Sequence, residues 1–352
     1  MKSKPMRWLA VMALAGLCIL LAACNGDKGN EPKPVKDYVV YIGDPGVTPQ
    51  VFIYHPLTRQ VDSSDIPWRP YEGVTVSANG KRLYLAQRTS LVVVDTDSLG
   101  LIAELPYKPD DPVAVSPDNQ LVAIADSGLH ILNAEDNSVV FQDTTPVIHC
   151  VFSADSKTLY CAGKGGNFVY KVNLSDSTYP VSRKEFADGM ITYVVPSPDE
   201  SKWFLYWRLG TWTSAFEAYD VLKDSVIFRE ILVPGYGQIA ITPNGKYVFY
   251  TNACRDGTYF PQVLGFTVFD VDANKVDRLV SDNDFFTGTN WIGPPLSMVV
   301  TPDGCWLVML GGCTIAQGVL YLYDIQKREL VHREFDEGGW NVFTNLSVQN
   351  AK

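Results

Sequence analysis

Histidine and positive charge are both scarce in this sequence. The chain has four histidines, and its 29 lysines and arginines face 39 acidic residues, which leaves a net charge of −10 at pH 7. An acidic chain is a poor partner for a phosphate backbone, so nucleic acid is not expected as a ligand. No C-x-x-C pair, HExxH segment or nucleophile elbow is present, so we predict no metal, no cofactor and no catalytic residue.

Long hydrophobic runs are missing too, except at the start of the chain. Lys2, Lys4 and Arg7 precede an apolar run from Trp8 to Ala23. This run is too short to span a bilayer comfortably, and a charged segment followed by such a run is typical of an export signal. No second long apolar run follows, so a lipid anchor would be the only attachment to a membrane.

The export signal ends in Leu21-Ala22-Ala23-Cys24, which resembles the lipobox of bacterial lipoproteins. The resemblance implies that residues 1–23 are a lipoprotein signal peptide and that Cys24 is lipidated; a plain secretory signal is the alternative. Residues 24–36 are polar and rich in Gly and Pro, as in a flexible tether. We expect a cell-envelope location, on the surface or the periplasmic side of the outer membrane, with residues 37–352 as the folded domain.

The rest of the chain lacks helical periodicity and repeats one β-rich phrase. Three residues that favour strands are followed by Ser or Thr, a tight turn and a second β-rich run. The turn residues, such as Pro-Asp, Asn-Gly or Asp-Gly, accept the backbone angles that a hairpin requires. The six copies are VTVSANGKRLYL, VAVSPDNQLVAI, CVFSADSKTLYC, VVPSPDESKWFL, IAITPNGKYVFY and MVVTPDGCWLVM.

A second hairpin phrase follows each of these, and a seventh copy of it begins at Val51, before the first copy of the first phrase. The missing first hairpin is divided between the chain ends, because Asn345–Lys352 aligns with its first strand and Asp37–Gly43 with its second. Pairing of these segments would close a ring and remove an exposed edge. We therefore predict an all-β, seven-bladed β-propeller closed by the C-terminal and N-terminal strands. Two stacked β-sandwiches, the competing fold, would not explain the complementary ends.

The residues also carry a family resemblance. The segment KYVFYTNA from Lys246 and the SPDG-like turns resemble YVTN-type (YncE-like) propeller repeats. The likeness covers residues 37–352 and defines a fold more than an activity. A lipobox followed by a propeller with elaborate loops is also similar to lipoprotein propellers of Bacteroidetes outer membranes. Some of these bind cobalamin and present it to a transporter, so that resemblance implies a cobalamin ligand and an outer-membrane transporter as a partner.

The connections between strands predict where a ligand would bind. With strands named a to d from the channel outwards, the b–c and d–a connections share one face, here called the top face. The long connections fall there, notably the b–c loops of blades four and five (residues 206–216 and 252–265), with blades counted from the copy at Val74. Long loops on a rigid scaffold often carry function, and aromatic walls suit a small-molecule pocket; loop packing is the alternative. The aromatic candidates are Trp68, Tyr71, Trp207, Trp212, Tyr236, Tyr259, Phe285, Trp291 and Trp340.

A second set of ligand-binding candidates comes from position in the repeat. The residue four places before each turn Ser or Thr begins strand a, at the top mouth of the central channel. The residues at this place are Gly73, Pro112, His149, Tyr193, Gln238, Ser297 and Asn345. Of these, His149, Tyr193, Gln238 and Asn345 could supply hydrogen bonds or a metal ligand. A solvated or carbonyl-bonded His149 is the alternative, because the other three histidines are predicted nearer the rim.

Five cysteines follow Cys24, and none has metal-site spacing. Cys150 and Cys161 would face each other across strands a and b of blade three, within disulfide range. Cys254 and Cys313 each lie nine residues after the turn Gly of their blade, so they would occupy equivalent top-face positions in adjacent blades. We predict that Cys254 and Cys313 are bridged in the exported protein. Buried free thiols are the alternative for both pairs.

Three classes of function remain open at this stage. We expect a lipid-anchored binding protein that captures a small nutrient on the top face, with cobalamin favoured and a glycan next. A propeller enzyme, such as a lactonase or a lyase, is the second class. A protein–protein interaction scaffold is the third, with the top-face aromatic residues as its contacts.

Overall fold

The structure is a computed structural model. It describes residues 38–44, 50–55, 58, 60–70, 73–110, 112–211, 213–232, 237–255, 261–280, 295–313, 317–335 and 346–350. Residues 1–37, in which the signal peptide, Cys24 and the tether are predicted, lie outside this set. The described residues form strands and turns without any helix, so no helix among them could cross a bilayer.

The described residues contain 28 strands. The first fourteen are β1 (Tyr38–Asp44), β2 (Gln50–His55), β3 (Gln60–Asp65), β4 (Gly73–Val76), β5 (Arg82–Ala86), β6 (Leu91–Asp95), β7 (Leu101–Leu105), β8 (Ala114–Val115), β9 (Leu121–Ala125), β10 (Leu129–Asn133), β11 (Val139–Asp143), β12 (Val147–Phe152), β13 (Thr158–Gly163) and β14 (Phe168–Asn173). The others are β15 (Val181–Glu185), β16 (Met190–Pro196), β17 (Lys202–Arg208), β18 (Ser214–Asp220), β19 (Ser225–Leu232), β20 (Ile239–Ile241), β21 (Tyr247–Arg255), β22 (Pro261–Asp270), β23 (Lys275–Val280), β24 (Pro295–Val300), β25 (Trp306–Cys313), β26 (Gln317–Asp324), β27 (Glu329–Phe335) and β28 (Leu346–Asn350).

These strands form seven antiparallel four-stranded sheets, which confirms the predicted seven-bladed β-propeller. Blades one to six use consecutive strands: β4–β7, β8–β11, β12–β15, β16–β19, β20–β23 and β24–β27. Blade seven combines β28 from the C-terminal end with β1–β3. The innermost strands touch their neighbours all the way round, in the order β28, β4, β8, β12, β16, β20, β24 and back to β28.

The ring closes where the sequence predicts. Strand β28 pairs antiparallel with β1, so that Val40 is opposite Val348 and Tyr41 is opposite Ser347. The inner strand of blade seven therefore comes from the opposite end of the chain to its three outer strands. This pairing leaves blade seven with the same four strands as the other blades and removes the edge that β1 would otherwise expose.

The hydrophobic core lies between the blades. In β1, Val40 and Ile42 pack against blade six, whereas Val39 and Tyr41 pack against blade one. Successive side chains of a strand point to opposite faces, so an inner strand that is covered on both sides is apolar at most of its positions. Seven such clusters, one for each pair of neighbouring blades, hold the ring together.

The a–b turns on the bottom face repeat one geometry. The N–H three residues after each turn Ser or Thr donates to the carbonyl of that residue, as from Asn119 to Ser116 and from Ser156 to Ser153. The donor residue has a positive φ, which glycine adopts at low cost and other residues do not. Glycine fills this position in blades one, five and six, and Asn119, Ser156 and Glu200 fill it in blades two to four.

Those three exceptions have a physical reason. The side chain of Asn119 accepts the N–H of Asn79, and the hydroxyl of Ser156 accepts the N–H of Asp118 at 3.1 Å. Glu200 in turn accepts the hydroxyl of Tyr160. Each of these positive-φ residues thus accepts, with its side chain, a hydrogen bond from the preceding blade. This hydrogen bond between blades offsets the cost of the backbone conformation.

Two substitutions of Ser156 separate these effects. Ser156→Ala keeps the unfavourable backbone angle and loses the bond to Asp118, so we expect a loss of about 1 kcal/mol of stability. Ser156→Gly loses the same bond but relieves a backbone cost of about 1 kcal/mol, so its stability should stay close to that of the wild type. Urea unfolding of the three proteins checks the order. Equal destabilisation by Ala and Gly would contradict this account of the turn.

The top-face connections differ in part from the prediction. The b–c loops of blades four and five are shorter than predicted, because strands b and c of both blades remain paired further towards the top face. Arg208 still pairs with Ser214, and Arg255 still pairs with Pro261. Only residues 209–213 and 256–260 remain as connections there. The longest connections, residues 281–294 and 336–345, are d–a connections by their place in the chain, and both lie outside the described residues.

Candidate functional site

The residues four places before each turn Ser or Thr lie near the top end of strand a, although they do not all begin it as predicted: His149 is the third residue of β12 and Tyr193 the fourth of β16. Gly73 and Pro112 stand at this position in blades one and two, and His149, Tyr193 and Gln238 in blades three to five. The last three are each half-buried. Ser297 of blade six is also polar but buried, so among the described residues the half-buried polar side chains at this position lie on one arc of the mouth. A ligand that needs them would sit off the axis, over blades three to five.

A β-bulge recurs at this mouth. The register of strand a against strand b shifts between Val147 and His149 in blade three and between Ile191 and Tyr193 in blade four. A bulge adds one unpaired residue, bends the strand locally and redirects the neighbouring side chains. Blade six shows the same shift just before Ser297, which is buried. Such bulges are common beside functional sites and are built features of a fold.

The bulges bring side chains of neighbouring blades into contact. The rings of His149 and Tyr193 lie with their centroids 4.3 Å apart, tilted by 40°. The side-chain amide of Gln238 donates to the hydroxyl of Tyr193 at 2.7 Å. Three blades thus contribute one continuous row of an imidazole, a phenol and an amide. We name this row, His149, Tyr193 and Gln238, the mouth triad.

The backbone beneath Gln238 is fixed. Its N–H donates to the hydroxyl of Thr251 at 3.0 Å, and its carbonyl accepts the N–H of Thr251 at 3.1 Å. At Gly237 an added Cβ would lie 2.1 Å from the ring of Tyr206, so only glycine allows this approach. Burial raises the pKa of Tyr206 to about 12, further above physiological pH, at which its phenol is neutral. The mouth triad therefore rests on a rigid, uncharged support.

The other described candidates lie elsewhere. Trp207 is 2% exposed and belongs to the core between blades three and four, where it packs edge-on against Phe186 at 5.4 Å. Trp68 is partly buried and packs on the cluster between blades seven and one. The structure therefore makes Trp207 a packing residue. The remaining aromatic candidates lie outside the described residues: Tyr71, Trp212, Tyr236, Tyr259, Phe285, Trp291 and Trp340.

The cysteines show the predicted register where it can be observed. Cys150 and Cys161 are directly opposite on β12 and β13, and their sulfur atoms lie 2.8 Å apart as free thiols. Cys254 and Cys313 lie near the top ends of β21 and β25 in adjacent blades, but their side chains lie outside the described set, so a bridge between them stays a prediction.

The remaining histidines are on outer strands, as predicted. His55 ends β2, His130 lies in β10 and His332 lies in β27. His55 is 3.6 Å from Asp62 of the neighbouring strand. Within the part of the chain that the structure describes, no group of three His, Cys, Asp or Glu residues could hold a metal ion.

The sequence did not reveal the bulges or the support beneath Gln238. A bulge appears only when the residues of one strand are counted against those of its partner, and a single sequence does not supply that register. The pairing of a glycine with a buried tyrosine of the preceding blade is likewise invisible without the ring geometry. The only available signal was position, because His149, Tyr193 and Gln238 share one place in the repeat.

No protein-family model matches this chain, and no curated protein matches it. Solved structures do share its fold. The periplasmic gluconolactonase of Pseudomonas aeruginosa is 14% identical, with a TM-score of 0.63 over 90% of this chain and 99% of that one. A proposed 6-phosphogluconolactonase of Bacteroides fragilis is also 14% identical, with a TM-score of 0.62 over the same shares.

A third solved structure shows how widely the fold is used. The β-propeller domain of Cps50 (Swd1) from Myceliophteria thermophila is 13% identical, with a TM-score of 0.58 over 76% of this chain and 86% of that one. Likeness at these identities concerns architecture, since one fold hosts many functions. The chain is a seven-bladed β-propeller whose solved structural neighbours include proteins described as gluconolactonases.

Proposed function

We propose that this protein binds a small molecule at the top mouth of the channel, off the axis and over blades three to five. The observation that supports the proposal is the mouth triad, in which bulges place His149 against Tyr193 and a hydrogen bond joins Tyr193 to Gln238. Half-buried aromatic and amide groups on a rigid base can stack against a ring and bond polar substituents.

A corrinoid is the favoured ligand. Its large ring offers a flat apolar surface, and its peripheral amides can exchange hydrogen bonds with a phenol and a carboxamide. The resemblance to cobalamin-binding lipoprotein propellers points the same way. A glycan is the next choice, because it stacks on aromatic rings and presents hydroxyl groups, although it needs a longer row of polar partners.

Titration of the purified protein with cyanocobalamin, and separately with oligosaccharides, tests the proposal. We expect saturable binding that weakens at least tenfold, or about 1.4 kcal/mol, in His149→Ala. Tyr193→Phe keeps the ring but removes the hydroxyl that accepts the hydrogen bond from Gln238. We expect this variant to lose less ligand affinity than His149→Ala. His130→Ala is the matched control, because His130 contacts Tyr107 on the outer part of blade two. Binding that is absent, or equal in wild type and His149→Ala, would contradict the proposal.

A lactonase is the second candidate function. Two structural neighbours are described as gluconolactonases, and His149 is a half-buried imidazole at the top mouth of this propeller. A half-buried imidazole could act as a general base toward water attacking a lactone. Hydrolysis of gluconolactone can be measured by the acid that it releases. Activity that is present in the wild type and abolished in His149→Ala would favour an enzyme over a binding protein. Turnover that survives in His149→Ala would exclude the imidazole as its base.

The cellular location is also part of the proposal. The LAAC segment supports lipidation of Cys24 and attachment to the outer membrane, where an outer-membrane transporter would be the natural recipient of a captured nutrient. The wild-type protein should partition into a detergent phase after expression in a bacterium. Cys24→Ser should remain in the aqueous phase. Aqueous partitioning of both proteins would contradict the lipid anchor.

A further inference from the structure

We propose that Cys150 and Cys161 form a disulfide when the chain folds in the presence of a disulfide oxidant. This bond would link the two innermost strands of blade three. The two residues are direct Cα partners in the antiparallel ladder of β12 and β13. As free thiols they are in contact, with Cys150 donating to the sulfur of Cys161 at 2.8 Å. The backbone therefore already holds the two side chains side by side.

The surroundings favour a covalent link over other uses of two thiols. Cys150 is 6% exposed and Cys161 is fully buried, and both belong to the apolar cluster between blades two and three. Among the described residues, no third ligand stands near enough to make a metal site with them. Burial raises the pKa of the Cys161 thiol, so its attack on an external disulfide is slow in the folded protein. We expect the bond to form during folding or local opening.

The step is a thiol–disulfide exchange with a low-molecular-weight disulfide or a protein disulfide as oxidant. The thiolate of one cysteine attacks the oxidant, which gives a mixed disulfide and releases one thiolate. The second cysteine, after losing its proton, attacks the mixed disulfide and releases the other thiolate. The two cysteines lose two protons and two electrons, and the oxidant becomes two thiols.

The proposed disulfide would lie next to the mouth triad. His149 directly precedes Cys150, and the bulge that presents His149 lies at the start of the same strand. A bond from Cys150 to the neighbouring strand would restrain that strand just below the mouth triad. This last consequence, an effect on ligand affinity, rests on the proposed function, whereas the existence of the disulfide does not.

Refolding the protein with oxidised glutathione tests the disulfide. Free thiols are then blocked with N-ethylmaleimide in denaturant, and the digested protein is mapped by mass spectrometry. We expect a linked peptide pair that contains Cys150 and Cys161, and a lower midpoint of thermal unfolding after reduction with dithiothreitol. Finding both residues alkylated in the oxidised sample would overturn the proposal, whether or not the protein binds a ligand.

Two variants control for the other cysteines. In Cys150→Ala the part of the thermal shift that comes from this link should disappear. Cys305→Ala alters a buried cysteine of blade six that lies in an a–b turn, and it should retain the shift. A shift of undiminished size in Cys150→Ala would overturn the proposal.

Discussion

Removal of residues 346–352 is expected to destabilise the propeller strongly. Strand β28 pairs with β1 over five residue pairs and touches the inner strands of blades one and six. At about 1 kcal/mol net for each ladder hydrogen bond, its pairing alone contributes roughly 4–5 kcal/mol. That is a large share of the roughly 5–15 kcal/mol by which a typical domain is stable. Urea unfolding followed by circular dichroism measures the loss.

A peptide supplied in trans provides the control. The segment Asn345–Lys352, added to the truncated protein, should restore part of the stability in proportion to its concentration, because it can reoccupy the open position beside β1. A scrambled peptide of the same composition should have no effect. If the truncated protein unfolds at the wild-type midpoint, the ring does not depend on its terminal strand and the account of closure is wrong.

The second large effect is expected at Trp207. Because its side chain is buried between blades three and four, Trp207→Ala should leave a cavity and reduce the free energy of unfolding by about 3–5 kcal/mol. Trp207→Phe keeps an aromatic contact with Phe186 and should cost less. Denaturant unfolding of both variants gives these values.

Trp68→Ala is the comparison for Trp207. Trp68 is only partly buried, so its truncation should cost clearly less than that of Trp207. If instead Trp207→Ala were as stable as the wild type and had lost ligand binding, Trp207 would be a ligand contact as the sequence first indicated. The two measurements together therefore decide between packing and recognition at this position.

The architecture was predictable because it depends on local chemistry that repeats. The turns after Ser77 and Thr301 have Asn-Gly and Asp-Gly at the positions where a hairpin needs them, and the structure uses them as such. Ring closure was predictable because the chain ends contain the two halves of a phrase that occurs intact elsewhere. Neither inference requires knowledge of how the blades pack.

The site was less predictable because it depends on contacts between blades. Tyr206 and Trp207 are adjacent in the chain and both are buried, since blade four is covered on each of its faces. In a strand that is buried on both sides, the alternation of apolar and polar residues disappears, so the sequence cannot separate a core tryptophan from a surface one. The contact of His149 with Tyr193 depends in addition on bulges, which only the register of paired strands reveals.

Hydrogen–deuterium exchange of the protein with and without bound cyanocobalamin tests the central claim most directly. We expect slower exchange at the top ends of β12 and β16 and around residues 237–241, with unchanged exchange in the a–b turns of the bottom face. Protection confined to the bottom turns or to the outer strands would contradict a binding site at the mouth triad.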